Sequence, residues 1–152
     1  MITLIDELFR STPKELDAAC RQILEGKRAI LPATWEPSRR INDAFDLVRF
    51  AEHFQLFQNK TSEQWPIGAY VCCMKDTEKL IAEMQEEAQK TGRIKDPNAP
   101  LKYYIAAPKP ELAMVWAFLF VEIVEAQKVE AAEQKSRLTV VKPGLVVPGR
   151  AV

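Results

Sequence analysis

The run Leu112 to Val124 reads L-A-M-V-W-A-F-L-F-V-E-I-V. A helix that is apolar nearly all round has no side to give to water, so it must sit at the centre of its domain. A membrane span needs about 20 apolar residues. This run is shorter and is broken by Glu122, so it reads as a buried core helix. P-K-P-E, Pro108 to Glu111, opens it with Pro110 near the first helical position. From Glu125 to Lys135 the sequence turns charged, and the helix is expected to project outward.

The remaining chain has to cover that helix. Leu4 to Arg10 suits a short helix. Thr12-Pro13-Lys14-Glu15 is a capping box with proline just inside it. Leu16, Ala19, Cys20, Ile23 and Leu24 follow at helical spacing, with Gly26 as the expected stop. A short strand is expected over Arg28 to Leu31. Ser38 is the expected N-cap of the next helix, whose apolar face runs Ile41, Ala44, Phe45, Val48 and Ala51. His53 to Gln58 and Trp65 to Cys73 read as two strands of a hairpin, and Leu101 to Ala106 as a third. Between them Asp76 to Pro100 reads as an insertion, whose helix ends at Gly92 and carries only a thin stripe of Leu80, Ile81, Met84 and Ala88. The tail from Ser136 is β-branched and broken by Pro143, Gly144, Pro148 and Gly149, which predicts two short extended pieces. The expected fold class is α+β: an antiparallel sheet of three to five strands sandwiched between helices. It comprises one domain over residues 1–135 with a helical insertion at 76–100 and an extended tail over 136–152.

Composition narrows the function. A chain of 152 residues buries about two thirds of its unfolded surface and needs no disulfide or metal staple. Lys plus Arg and Asp plus Glu are both 21, so the basic excess of a duplex nucleic-acid binder is missing. Zero net charge also gives little repulsion between copies, which permits self-association, and the apolar tail makes a homo-oligomer the expectation. Cys20, Cys72 and Cys73 are odd in number and two are adjacent, so no disulfide framework is expected. A single histidine, His53, cannot assemble a histidine-based metal set, and no cofactor is expected. The first residues lack the basic and apolar regions of a signal peptide, and no segment suits a membrane, so a cytoplasmic location is expected. The sequon Asn59-Lys60-Thr61 is read as a chance match.

Four stretches together resemble a known family. They are E-L-D-A-A-C-R-Q-I-L-E-G, W-E-P-S-R-R-I-N-D-A-F-D-L-V, a strand begun by Trp65, and A-A-P-K-P-E-L-A-M-V-W-A-F-L. This order is similar to the phage ABA sandwich domain found in tailed-phage proteins, over roughly Glu15 to Gln127. The chain departs from that pattern in its inserted helix, in lacking the usual tyrosine before Ser38, and in its tail. The resemblance implies a phage origin, an α-β-α layering and a life in the cytoplasm of an infected bacterium. It carries no catalytic residues.

Candidate chemistry is sparse. Ser38, Arg39 and Arg40 combine a helix start with two guanidinium groups, a pattern that can hold a phosphate or carboxylate. Trp35, Trp65, Tyr70, Tyr103 and Tyr104 could stack on a base or a peptide, or serve as ordinary core and cross-strand pairs. Cys72 and Cys73 cannot share one face of a strand, so one must point to an opposite layer. His53 follows Glu52 but has no placed nucleophile. Leu80, Met84, Leu138, Val140 and Val146 are candidate partner contacts, the last three as added strand. No phosphate loop, dinucleotide fingerprint, zinc-protease motif or nucleophile elbow is present. The expected function is that of a non-enzymatic phage accessory protein that binds a host protein or signalling molecule to inhibit host antiviral defence. A sponge for an anionic nucleotide, a nucleotide-processing enzyme and a minor virion component remain as alternatives.

Overall fold

The computed structural model describes residues 2–145, with side chains through residue 136. Helices α1 (Ile5–Leu8), α2 (Pro13–Gly26) and α3 (Ile41–Val48) come first, followed by strands β1 (Gln55–Gln58) and β2 (Tyr70–Cys73). Helix α4 (Thr77–Thr91), a 3-10 helix η1 (Ala99–Tyr103), β3 (Ile105–Ala107) and α5 (Pro110–Leu145) complete the order. The three strands form one antiparallel sheet in the order β1-β2-β3. The α+β class of the sequence reading therefore stands. The chain divides into two compact units, Met1–Val121 and Glu122–Val152. The first holds the fully buried side chains Leu8, Leu16, Leu24, Leu47, Val71, Met74, Tyr103, Met114 and Val115.

α2 forms as its caps dictate. Thr12 Oγ1 accepts from the Glu15 N–H at 3.2 Å, and Glu15 Oε1 accepts from the Thr12 N–H at 2.9 Å. Those bonds hold the Glu15 carboxyl below its ordinary range, the backbone bond from Thr12 foremost. The helix does not stop on Gly26 as a left-handed residue. That role falls to Arg28, at φ 69°. The Arg28 N–H donates to the Glu25 carbonyl and the Ala29 N–H to the Leu24 carbonyl, each at 2.9 Å, the closure of a Schellman motif. Those bonds use up the backbone donors that a strand over Arg28 to Leu31 would need, so that strand is absent.

Three further expectations are corrected. Ser38 is not the N-cap of α3; Arg40 is, because the N–H groups of Arg39 and Arg40 both turn back onto the Glu36 carbonyl. The strand expected from Trp65 starts only at Tyr70. Its first half is taken by a loop closed around Asn59, which is 3% exposed. Asn59 Nδ2 donates to the carbonyls of Ser62, Trp65 and Pro66 at 2.9, 2.8 and 3.2 Å, and Oδ1 accepts from the Ser62 N–H at 3.1 Å. The Asn59 N–H reaches the Ala69 carbonyl, and the Gly68 N–H the Asn59 carbonyl, both at 2.7 Å. Gly68 makes the reversal at φ 89°. A buried amide so engaged offers no glycosylation site. The strand expected over Leu101 to Ala106 is likewise shortened, because η1, with Pro100 in its first turn, takes Ala99–Tyr103 and leaves Ile105–Ala107 as the strand.

The tail is also not extended where it is described. α5 continues through Leu145. The Ala, Glu, Gln and Lys residues before position 136 are strong helix formers, and a helix already nucleated gains one bond with each added residue. Val146 and the rest of the tail lie outside the described residues. Leu138 and Val140 are backbone positions of α5.

Two stability predictions follow from these turns. Arg28→Gly relieves the left-handed cost and should raise stability by about 1 kcal/mol. Asn59→Ala leaves three carbonyls and one N–H without their partner and should lower stability by about 1–3 kcal/mol. Urea unfolding followed by tryptophan fluorescence reads both, and opposite signs are the expected outcome.

Candidate functional site

The sheet has two different faces. Phe57 lies opposite Val71, and Val71 opposite Ala106. These residues share one face with Cys73 and Tyr104 at alternate positions. The Asn59-centred loop brings Trp65 onto this face. Its ring stands edge-on to Phe57, with centroids 5.6 Å apart, and tilted against Tyr104 at 6.1 Å. The Tyr104 hydroxyl lies 3.2 Å from Thr77 Oγ1 at the start of α4. Phe57, Trp65 and Tyr104 are each half-buried. The other face carries Leu56, Tyr70, Cys72, Ile105 and Ala107. Trp65 and Tyr70 therefore do not converge on one ligand. A shallow groove of about 370 Å³ runs past Pro66, Ile67 and Ala69 to Ala106 and Pro108, and is lined mostly by backbone and small side chains.

α4 is built to stand with little packing. Asp76 Oδ1 caps the Lys79 N–H at 3.1 Å, and Gly92 closes the far end at φ 82°, its N–H on the Ala88 carbonyl at 2.8 Å. The Asp76 N–H is itself held by Glu52 Oε1 at 3.0 Å, with Lys75 Nζ 3.4 Å from the same oxygen. The hydrogen bond from the Asp76 N–H lowers the Glu52 carboxyl pKa most; burial opposes it, and Lys75 lowers it further. Thr77 is the only buried residue of the helix. Leu80, Met84 and Ala88 are half-buried at a spacing of four, and Ile81 beside them is 42% exposed. η1 packs against α4. Ile94 in the connecting loop and Leu101 on η1 are exposed apolar side chains as well. Sequence reasoning placed Leu101 in a strand and so did not count it with this surface.

The anion-binding pattern is occupied by the chain itself. The Ser38 N–H donates to Asp17 Oδ1 at 2.9 Å, and its hydroxyl to the Pro13 carbonyl at 3.4 Å. Ser38 is 7% exposed. Arg40 Nε lies 3.9 Å from Glu36 Oε2. Arg39 is exposed and has no ion pair among the described residues. Trp35 is 3% exposed, with its Nε1–H on Asp46 Oδ2 at 2.9 Å and the Arg21 guanidinium 5.8 Å from its ring centroid. A ring so enclosed cannot stack on a ligand. Tyr103 is buried against Phe120, edge-on at 5.6 Å. His53 has no hydrogen-bond partner among the described residues, so no base and nucleophile are paired there.

All three thiols are buried. Burial pushes Cys72 up to about 12, with the neighbouring Cys73 adding to the shift. Burial raises Cys20 well above its usual range and raises Cys73 as well, the latter against a smaller lowering by the Lys75 backbone; the Cys73 thiol donates to the Lys75 carbonyl at 3.3 Å. A thiol held protonated is neither a nucleophile nor a metal ligand. Among the described residues no cluster of three or more His, Cys, Asp or Glu side chains could hold a metal. No helix among them is long and apolar enough to cross a membrane. Comparison with protein-family models, with curated proteins and with solved structures finds no match for the chain.

The thiols set an alkaline limit. Unfolded cysteines ionise near pH ~8.5, whereas the folded thiols stay protonated to higher pH. Their contribution is therefore complete below that pH and is lost as pH rises toward the folded value of about 12 for Cys72. The urea midpoint should fall between pH 8 and 10 as a result. Cys72→Ala should flatten that fall, and an unchanged slope would show that the buried thiols do not set it.

Proposed function

We propose that this chain is a non-catalytic phage accessory protein that docks a host protein on α4 and, through that contact, blunts a host antiviral defence. The observation that carries the reading is α4. It buries one residue, Thr77, out of 15, yet it is capped at both ends and keeps an apolar stripe half-open to solvent. A helix of this length is marginal on its own in water and normally draws its stability from a packed face. Helix-in-groove recognition uses the same spacing of apolar anchors, here Leu80, Ile81, Met84 and Ala88. The phage assignment and the cytoplasm of an infected bacterium rest on the resemblance in residues Glu15 to Gln127. The α-β-α layering belongs to the same proposal, and burial of Val71 and Cys72 on opposite faces of β2 supports it.

Native mass spectrometry of the protein drawn from a bacterial lysate tests the reading. A host polypeptide should be retained by the unaltered chain and reduced at least ~10-fold in the Ile81→Glu variant, an effect of about 1.4 kcal/mol. The melting temperature of that variant should shift by less than about 3 °C, since Ile81 is 42% exposed. Equal retention by both proteins, or none by either, would remove α4 as the docking surface.

A further inference from the structure

We infer that the groove between α1 and α2 binds a free basic α-amino acid, lysine or arginine. The groove has a volume of about 580 Å³, inside the range of roughly 300–1,000 Å³ that small-molecule sites occupy. One wall is a single face of α2, where Glu15, Ala18, Ala19 and Gln22 recur at helical spacing. The other wall carries Glu7 and Arg10, joined by the turn in which the Arg10 N–H donates to the Glu7 carbonyl at 3.2 Å. Residues three apart in such a turn are side-chain neighbours.

Two negative side chains and one positive side chain thus line the groove, yet no two of them form an ion pair among the described residues. The chain holds each of them by one side only. Glu7 Oε1 accepts from the Thr3 and Leu4 N–H groups at 3.3 and 3.1 Å. Glu15 Oε1 accepts from the Thr12 N–H at 2.9 Å. Arg10 Nε donates to the Asp6 carbonyl at 3.0 Å. Glu7 Oε2, Glu15 Oε2 and the Nη pair of Arg10 have no partner among the described residues.

A basic α-amino acid carries the inverse set, two positive groups and one negative. Its carboxylate matches the Nη pair of Arg10 in a two-bond contact. Its α-ammonium sits on the same carbon as that carboxylate and so falls to Glu7, the neighbour of Arg10. Its side-chain cation then reaches across the groove to Glu15, with the apolar stem along Ala18 and Ala19. A diamine leaves Arg10 without a partner, a neutral amino acid leaves Glu15 without one, and a polyanion meets two carboxylates. The groove shares no residue with α4, so it stands apart from the docking reading.

Titration of the full chain at constant ionic strength, followed by backbone amide shifts, tests this with L-lysine, L-norleucine (no side-chain ammonium) and cadaverine (no carboxylate). Lysine should bind with a Kd on the order of 1 mM, as an open groove allows, and the other two at least ~10-fold more weakly. The shifts should centre on Glu15 to Gln22. Arg10→Gln should bring lysine down to the level of cadaverine and leave cadaverine unchanged. Glu15→Gln should bring lysine down to the level of norleucine; glutamine at that position keeps the capping box, so the helix stays. No saturation by lysine up to ~50 mM would overturn the inference. Equal binding of lysine and norleucine would also overturn it, as would an Arg10→Gln variant that weakens lysine and cadaverine alike.

Discussion

β2 buries Val71, Cys72 and Cys73 to 1% exposure or less, and consecutive residues of a strand point to opposite faces. A strand dry on both faces requires cover on both. That requirement explains why the side chains here are small or thiol, and why the thiols stay protonated. It also explains the irregular chain around the sheet. The Asn59 loop gives up strand length from Trp65 to Ala69 and in exchange sets an indole ring across the Phe57 and Tyr104 side. η1 does the same from the other end, turning Tyr103 inward against Phe120 while Tyr104 stays with Trp65. The sheet is short because its neighbours are used as cover.

Few polar groups hold these irregular stretches, and most of them are carboxylates. Asp17 accepts from the Ser38 N–H, Asp43 from the Glu36 N–H at 2.8 Å, Asp46 from the Trp35 indole, and Glu52 from the Asp76 N–H. The first three satisfy part-buried backbone or indole donors that would otherwise be costly to leave unpaired. The consequence reaches function. The Glu36 and Ser38 N–H groups ahead of α3 are committed to acids of α3 and α2, and those of Arg39 and Arg40 to the Glu36 carbonyl. The pattern Ser-Arg-Arg is an anion cradle only when its amides are free, and sequence does not show which carboxylate will reach them.

That distinction separates what was legible in the chain from what was not. α2 and α4 were legible because their signals are local: Thr12 with Glu15, and Asp76 with Gly92, act within a few residues of the helix they terminate. The apolar face from Leu112 was legible because no partial exposure suits it. The strands were overextended in the reading because alternation continues through Trp65, Ile67 and Ala69, while the bonds that close that loop come from Asn59, up to ten residues away. The left-handed turn at Arg28 was missed since Gly26 offers the better propensity two residues earlier. The helical course of α5 past Ser136 was missed since β-branched residues such as Thr139 to Val141 weigh against a helix locally. A helix already running through Glu125 to Lys135 needs no fresh nucleus to enter them.

The two least-buried helical surfaces stand on different footings. α4 is an insertion between two paired strands: β2 leads into it and β3 follows η1, so its position is tied to the sheet by Asp76, Thr77 and Tyr104. Its apolar stripe is half-covered, which suits a face completed by a structured partner. The distal segment of α5 has no half-covered stripe: residues 126–136 are exposed, and Lys128 Nζ lies 3.8 Å from Glu125 Oε1 within the helix. The core of Met1–Val121 holds the large apolar side chains Leu8, Leu16, Leu24, Leu47, Met74, Tyr103 and Met114, and among the residues of α4 only Thr77 is buried, so α4 uses its caps to stand at the edge of that core and not within it.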